Sequence, residues 1–266
     1  MSSLFPLAHQ CLAAADPDTK VALTHAAARA WQSGKAALAA AAPPQPVAEP
    51  GRPPRPKLVP PRELPRRRLS SPAGRAALIH AITHIEFNAI NLAWDAVYRF
   101  RGLPREFYDG WVQVADEEAR HFSLLRHRLR ELGFDYGDLP AHDGLWQMAQ
   151  DTAHDVLVRM ALVPRVLEAR GLDVTPGMMQ RLREAGDTTT ADILAIILRE
   201  EVGHVAIGSR WFRWTCEQRG MEPESTFRAL LQRHMKGRLK GPFSIDARLR
   251  AGFSREELAA LAESAR

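Results

Sequence analysis

The sequence predicts an all-α protein built around four long helices arranged as a bundle. Three observations predict it. From about residue 72 to 218, apolar residues recur at helical spacing in four long segments, with no convincing strand alternation. Gly102 with Pro104, Gly133 and Gly171 mark the ends of the first three segments. An apolar share of 45% against 25% charged residues is enough for a real core.

Residues 4 to 42 are alanine-rich and predict one or two short helices, with the helical pattern stopping at Ala42. From Pro43 to Pro65 prolines are too frequent for helix or central strand, because each removes a backbone donor. That stretch reads as an extended arm or linker. The first long helix runs from about 72 to 101 and ends at Gly102, and Pro104 opens the second, which stops at Gly133. The connection FDYGDLPAHDG leads to a third segment ending near Gly171, with a shorter helical piece over 176 to 185. The fourth starts after Asp187 and Thr188 as candidate caps and reaches about Gln218. Two smaller helices are expected over 223 to 236 and 254 to 264, the last capped by Ser254 with Glu257 three residues on. The expected organisation is thus an N-terminal helical segment and arm (1–70), a four-helix bundle (71–220) and a C-terminal helical extension (221–266).

Composition narrows the functional classes. No run of eighteen uninterrupted apolar residues exists, so no spanning helix and no membrane partner are expected. The start MSSLFPLAHQ lacks the basic residues and apolar core of a secretory signal, and two cysteines cannot build a disulfide framework. A cytoplasmic location is the expectation. The net charge of +5 is concentrated at Arg62, Arg66, Arg67 and Arg68 and again at Arg233, Lys236, Arg238 and Lys240. Solvated surface is the commoner meaning of such runs; an RNA partner is the sharper one.

The chemistry sits in two similar segments, ADEEARHF from Ala115 and REEVGHVA from Arg199. Each holds Glu-x-x-His, as Glu118 to His121 and Glu201 to His204. Residues three apart on a helix are rotated by about 60° and rise by about 4.5 Å, so carboxylate and imidazole share a face. One such motif has little specificity; its apolar phase supplies the rest. Glu118 falls in a row with Trp111, Leu125 and Leu132, and Glu201 in a row with Leu194, Leu198, Val205 and Phe212. An ionised carboxylate at a core position is costly unless a cation or hydrogen bonds compensate it.

The other two long helices each add one acid. Glu86 lies mid-stripe among Ile79, Ile82, Ile90, Ala93 and Val97, and Glu168 follows Leu157, Met160 and Pro164. The offset from Glu86 to Glu118 is 32 residues and from Glu168 to Glu201 it is 33, as expected of two related helix pairs. Single glutamates from two helices with Glu-x-x-His from two others form the ligand pattern of di-iron carboxylate bundles. Four carboxylates balance two divalent cations, iron or equally manganese by ligand type. Glu117 and Glu200 are alternatives by spacing, Glu117 in a wetter row. His80 and His84 read as surface or outer residues, and Asp95 and Asp192 as candidate acceptors for a ligand imidazole. In a metal-free bundle the acids would pair instead with arginines such as Arg165 and Arg199.

The stretches HAITHIEFNAINLAWDAVYRF, VADEEARHFSLL, the helix bearing Glu168 and REEVGHVAIGSRWF resemble a bacterial family of ferritin-like proteins of unassigned function. More distantly they resemble di-iron hydroxylases that modify an isopentenyl-type adenosine in transfer RNA. The resemblance covers roughly residues 70 to 220 and implies a ferritin-like four-helix bundle holding two iron ions. It points to an oxygen-activating oxidoreductase or hydroxylase with a substrate and an electron donor that the sequence does not identify. A non-catalytic, iron-handling bundle is the other expectation.

Overall fold

A computed structural model describes residues 2–39, 42–64, 69–235 and 239–264. Among the described residues the chain is all-α apart from a two-residue parallel ladder between Ser2–Ser3 (β1) and Ala36–Ala37 (β2) and an isolated bridge from Leu58 to Ala141. No helix among the described residues is long and apolar enough to cross a membrane. The chain divides into two compact units, Met1–Gln150 and Asp151–Arg266.

In the first unit, helices α1 (Leu4–Ala13) and α2 (Pro17–Gln32) pack on a long antiparallel pair, α3 (Pro72–Arg99) and α4 (Arg105–Glu131). Ser71 caps α3 by accepting from Gly74 N, with Pro72 in the first turn, where its missing N–H costs nothing. Gly102, at φ +73°, turns the chain towards α4, and Gly133, at φ +80°, ends it. From Glu86 to Tyr98 every residue of α3 is buried, so this part is covered all round. The cover comes from the N-terminus. α1 buries Leu4, Phe5, Ala8 and Leu12 and packs on α3, while α2 buries Trp31 and packs on α4, where Trp31 Nε1 donates to Asp109 at 2.7 Å. Buried Lys20 donates to the last-turn carbonyls of Cys11 (2.8 Å) and Leu12 (3.1 Å) and to Asn91 Oδ1 of α3 (2.7 Å). A cation at the carbonyl end of α1 is favoured by its dipole. The helical pattern therefore ends at Gln32, ten residues short of the Ala42 expected from alanine content, because the chain turns at Gly34 (φ +72°) to form β2.

The proline-rich arm is extended, as its composition predicts, but laced onto this unit. Ala48 O accepts from Trp146 Nε1 and Gln150 Nε2, Gln45 N donates to Tyr98 Oη, and Gly51 N donates to Leu12 O. At Gly51 a Cβ would fall 2.2 Å from Ala13 O, so only glycine allows this approach. Helix α5 (Gly144–Asp151) closes the unit.

In the second unit, α6 (Val156–Leu162) runs into a six-residue π-helical turn, Val163–Glu168, and on without a break into α7 (Ala169–Glu184). The expected stop near Gly171 does not occur, and Pro176 lies inside α7 rather than at the head of a separate piece. Neighbouring packing overrides these two local breakers: Leu172, Asp173 and Thr175 between them are buried. Asp187 caps α8 (Thr188–Gln218), which packs back along α7 and the π-turn. Helices α9 (Pro223–Met235), α10 (Ile245–Arg250) and α11 (Arg255–Ser264) complete the unit. The expected Ser254–Glu257 capping box is formed: Ser254 N donates to Glu257 Oε2 at 2.8 Å, and Glu257 N to Ser254 Oγ at 3.0 Å. Of the basic clusters, Arg66–Arg68, Lys236 and Arg238 lie outside the described residues.

Candidate metal centre

Three predicted residues meet within the first unit. Glu86 comes from α3, and Glu118 and His121 stand one turn apart on α4. Each offers one ligand atom within 4.8 Å of the others. His121 Nδ1 lies 3.2 Å from Glu118 Oε2 and 3.3 Å from Glu86 Oε2, and the side chains are 0% (His121), 0% (Glu118) and 5% (Glu86) exposed. Glu86 Oε2 is buried, and the 3.3 Å approach of His121 Nδ1 to it is an electrostatic contact.

The electrostatics follow from burial. Burial, with the Glu118 charge next to it, raises the Glu86 carboxyl well above the usual carboxylate range. Burial alone would lower His121, but Glu118 and Glu86 outweigh it and push the imidazole up to about 11. Two carboxylates excluded from water thus demand a positive charge between them. A proton on His121 supplies one; a divalent cation binding through both carboxylates and a neutral imidazole would displace that proton and supply two. The donor set fits iron or manganese by type.

A cluster of rings is built on the residues next to this trio in the chain. Phe87 and Phe122, the chain neighbours of Glu86 and His121, lie 5.5 Å apart, and Tyr136 meets each at 5.3 Å. Tyr136 belongs to the connection after α4, which two α3 histidines hold down. His84 Nδ1 meets Tyr136 Oη at 2.9 Å, and His80 Nε2 accepts from Gly137 N at 3.0 Å. Of the two readings of His80 and His84, surface or outer residues, the surface one is corrected: they are 1% and 6% exposed, and burial holds both neutral, at about 4. Tyr136 is one of two aromatics, with Phe134, between Gly133 and Gly137, both at positive φ.

In the second unit His204 is buried on α8, and its Nδ1 lies 3.5 Å from Oε1 of Glu201, 13% exposed. Glu168 is the last residue of the π-turn and is half-buried. Buried Arg165 turns to Glu257 at 2.7 Å, and Arg199, 71% exposed, lies 3.6 Å from Glu200. Glu117 is held by Gln113 on the exposed face of α4. Asp95 binds Arg99, and Asp192 is exposed beside Arg183, so Asp192 does not orient an imidazole.

Comparison with known proteins places these residues in one family. The family model described as "Protein of unknown function (DUF455)" matches residues 13–259. An uncharacterized protein of Haemophilus influenzae (strain ATCC 51907 / DSM 11121 / KW20 / Rd) is 48% identical over 213 residues, covering 77% of this chain and 74% of the relative. No solved structure matches. The chain belongs to the DUF455 family.

Proposed function

We propose that this DUF455 protein is a ferritin-like, dinuclear metal-carboxylate protein that activates dioxygen, an oxidoreductase of hydroxylase type. Its ligands in this reading are Glu86, Glu118 and His121 from one helix pair and Glu168, Glu201 and His204 from the other. The observation that carries it is the buried trio: two carboxylates and an imidazole, walled by Phe87, Phe122 and Tyr136, whose charge a cation would balance. The second Glu-x-x-His, one helix pair later, supports a second ion.

When bound, two ferrous ions would supply the redox chemistry of dioxygen activation. The chain's own part is to neutralise and orient. Glu86 and Glu118 set the negative charge, His121 yields its proton as a cation enters, and the burial of the trio keeps bulk water from the centre. Glu201, partly exposed, leaves the second half of the ligand set more open than the first.

Anaerobic ferrous titration followed by elemental analysis tests the reading. Two ions per chain are expected in wild type and fewer in Glu86→Ala. A protein that saturates at one ion, or at none, refutes the dinuclear assignment. Two ions with no oxygen reactivity would leave a metal-binding bundle without catalysis.

A further inference from the structure

The π-turn that ends on Glu168 is gripped from two sides. On one side Pro164 packs on Gly208 of α8 so closely that a Cβ there would fall 2.2 Å from Pro164 Cγ. On the other, the Arg165 side chain is fully buried in a cage of rings, its Cζ 4.2 Å from Phe227, 4.6 Å from Phe212 and 4.6 Å from Phe253. Nη2 donates to Glu257 Oε1 at 2.7 Å, while Nε and Nη1 meet no acceptor among the described residues. Glu257 is fixed by the α11 capping box, and Ser254 Oγ of that box donates to Glu224 of α9 at 2.6 Å. The turn carrying Glu168 is therefore tied to α8, α9 and the head of α11.

This grip is not what stability alone would select. A buried guanidinium with two idle N–H groups costs free energy that a methionine or leucine of similar size would not. What it specifies is conformation. A π-turn holds one residue more than an α-turn, so relaxing to α-geometry would rotate the side chains beyond it by about 100° relative to those before it. Ala169 N donates to Pro164 O, five residues back, in keeping with the wider turn. Pro164 has no N–H to give and is tolerated where the regular ladder is already broken.

We infer that the C-terminal extension is a positioning device for Glu168: the Arg165 cage and the Gly208 socket hold Val163–Glu168 as a π-turn and so aim this carboxylate at the second ion. The inference rests on the dinuclear reading above. Arg165, Glu257 and Gly208 are positioning residues; none need touch the ion.

The test uses the full chain and anaerobic manganese(II) and iron(II) titrations of wild type, the double variant Arg165→Met/Glu257→Gln and Gly208→Ala. Hydrogen exchange over residues 163–168 reads the turn itself. The double variant removes the charge pair without leaving either partner ionised alone, and Gly208→Ala acts on the same turn from α8. In both variants the first ion should bind as in wild type, the second at least tenfold more weakly, and exchange in the turn should rise. Helical circular dichroism should be retained. Two ions bound as tightly as in wild type by either folded variant would overturn the inference, whatever the change in Tm. If neither variant folds cooperatively, the cage is a folding element and the inference is likewise wrong. Wild type saturating below two ions would instead refute the dinuclear reading, and this inference with it.

Discussion

His121 Nδ1 lies 3.3 Å from Oε2 of Glu86, a residue on the neighbouring helix and 5% exposed. With Glu118 on its other side, the imidazole is the one basic group of the buried trio. Removing any member leaves the others with an uncompensated charge or an incomplete ligand set.

The first prediction follows from that arrangement. Glu118→Ala should weaken the tighter ion by at least about a hundredfold, beyond the usual effect of losing an outer partner. Glu117→Ala should change it less than about threefold, because Glu117 sits on the exposed face with Gln113. Calorimetric titration with manganese(II) checks both. At a free ion concentration a hundred times Kd, wild type should gain about 2.7 kcal/mol of stability, and Glu118→Ala almost none. Equal losses in the two variants would mean that burial does not select the ligand.

The second prediction concerns residues 1 to 65. Their alanine and proline content reads as an appendage, yet Leu4, Phe5, Leu12 and Trp31 are buried in the first unit. Each large apolar side chain withdrawn from water is worth about 1.5–3 kcal/mol. Their sum, about 6–12 kcal/mol, is of the same size as the net stability of an ordinary domain, about 5–15 kcal/mol. Deleting residues 1–65 should therefore abolish cooperative unfolding of the first unit, followed by chemical denaturation with tryptophan fluorescence. A truncated chain that unfolds cooperatively with an unchanged midpoint would show that the N-terminal helices are dispensable.

How far the sequence could be read differs between these residues for physical reasons. Glu118 and Glu86 were legible because a single acid in an apolar stripe breaks a periodic pattern, and burial of both follows from that phase. The docking of α1 and α2 was not legible, since alanine-rich helices have weak amphipathic contrast and the contacts that fix them, such as Lys20 to Asn91, span 71 residues. The continuity of the third helix through α7 was hidden by Gly171 and Pro176, while Pro164 already falls inside that helix as read from the sequence. These residues break isolated helices, but here Pro164 is matched by Gly208 on another element. The roles of His80 and His84 depend on a loop that closes over them from residue 136 onward, and helical spacing carries no trace of it.

The third prediction uses Lys20. Burial lowers its ammonium from the usual 10.5 to about 7, against the pull of Cys11. The unfolded chain holds that proton up to its ordinary value, so between pH 7 and 10.5 unfolding takes up a proton and stability rises with pH. The slope from this group approaches about 1.4 kcal/mol per pH unit. Cys11 opposes it higher up. Burial raises the thiol from 9.0 to about 12, so the unfolded chain loses its proton first and stability falls as pH passes 9. The clean window is pH 7 to 8.5. Denaturant unfolding of wild type and Lys20→Met across that window should differ in slope by roughly one proton. Parallel slopes would show that Lys20 keeps its charge in the fold, held by its three acceptors.

The fourth prediction concerns Tyr136. Its hydroxyl meets His84 Nδ1 at 2.9 Å, and its ring closes the wall beside Phe87 and Phe122. Tyr136→Phe keeps the ring and leaves His84 short of one partner, so it should cost about 1–3 kcal/mol of stability with metal affinity nearly unchanged. Tyr136→Ala removes the wall and should cost about 3–5 kcal/mol. Thermal melts and metal titrations on both variants check this. A large loss of metal affinity in Tyr136→Phe would give the hydroxyl a direct part at the centre.

The last prediction separates catalysis from binding alone. All six proposed ligands are glutamate or histidine, with no cysteine among them and no closed four-ligand set of the structural kind. Two ions that each favour about six donors would share six residues, so exchangeable positions remain at the centre. The reduced, iron-loaded protein should then consume dissolved oxygen faster than the same concentration of free ferrous iron. An oxygen electrode, read after mixing anaerobic protein into aerated buffer, gives the rate. Glu86→Ala and Glu168→Ala, each lacking one acid from a different helix pair, should fall to the rate of the free ion while their circular dichroism stays helical. Adding a two-electron reductant should make uptake continue beyond one turnover in wild type alone. If wild type binds two ferrous ions but consumes oxygen no faster than these variants, the oxygen-activating reading fails. The buried trio would then be an ion-binding element whose effect is confined to stability.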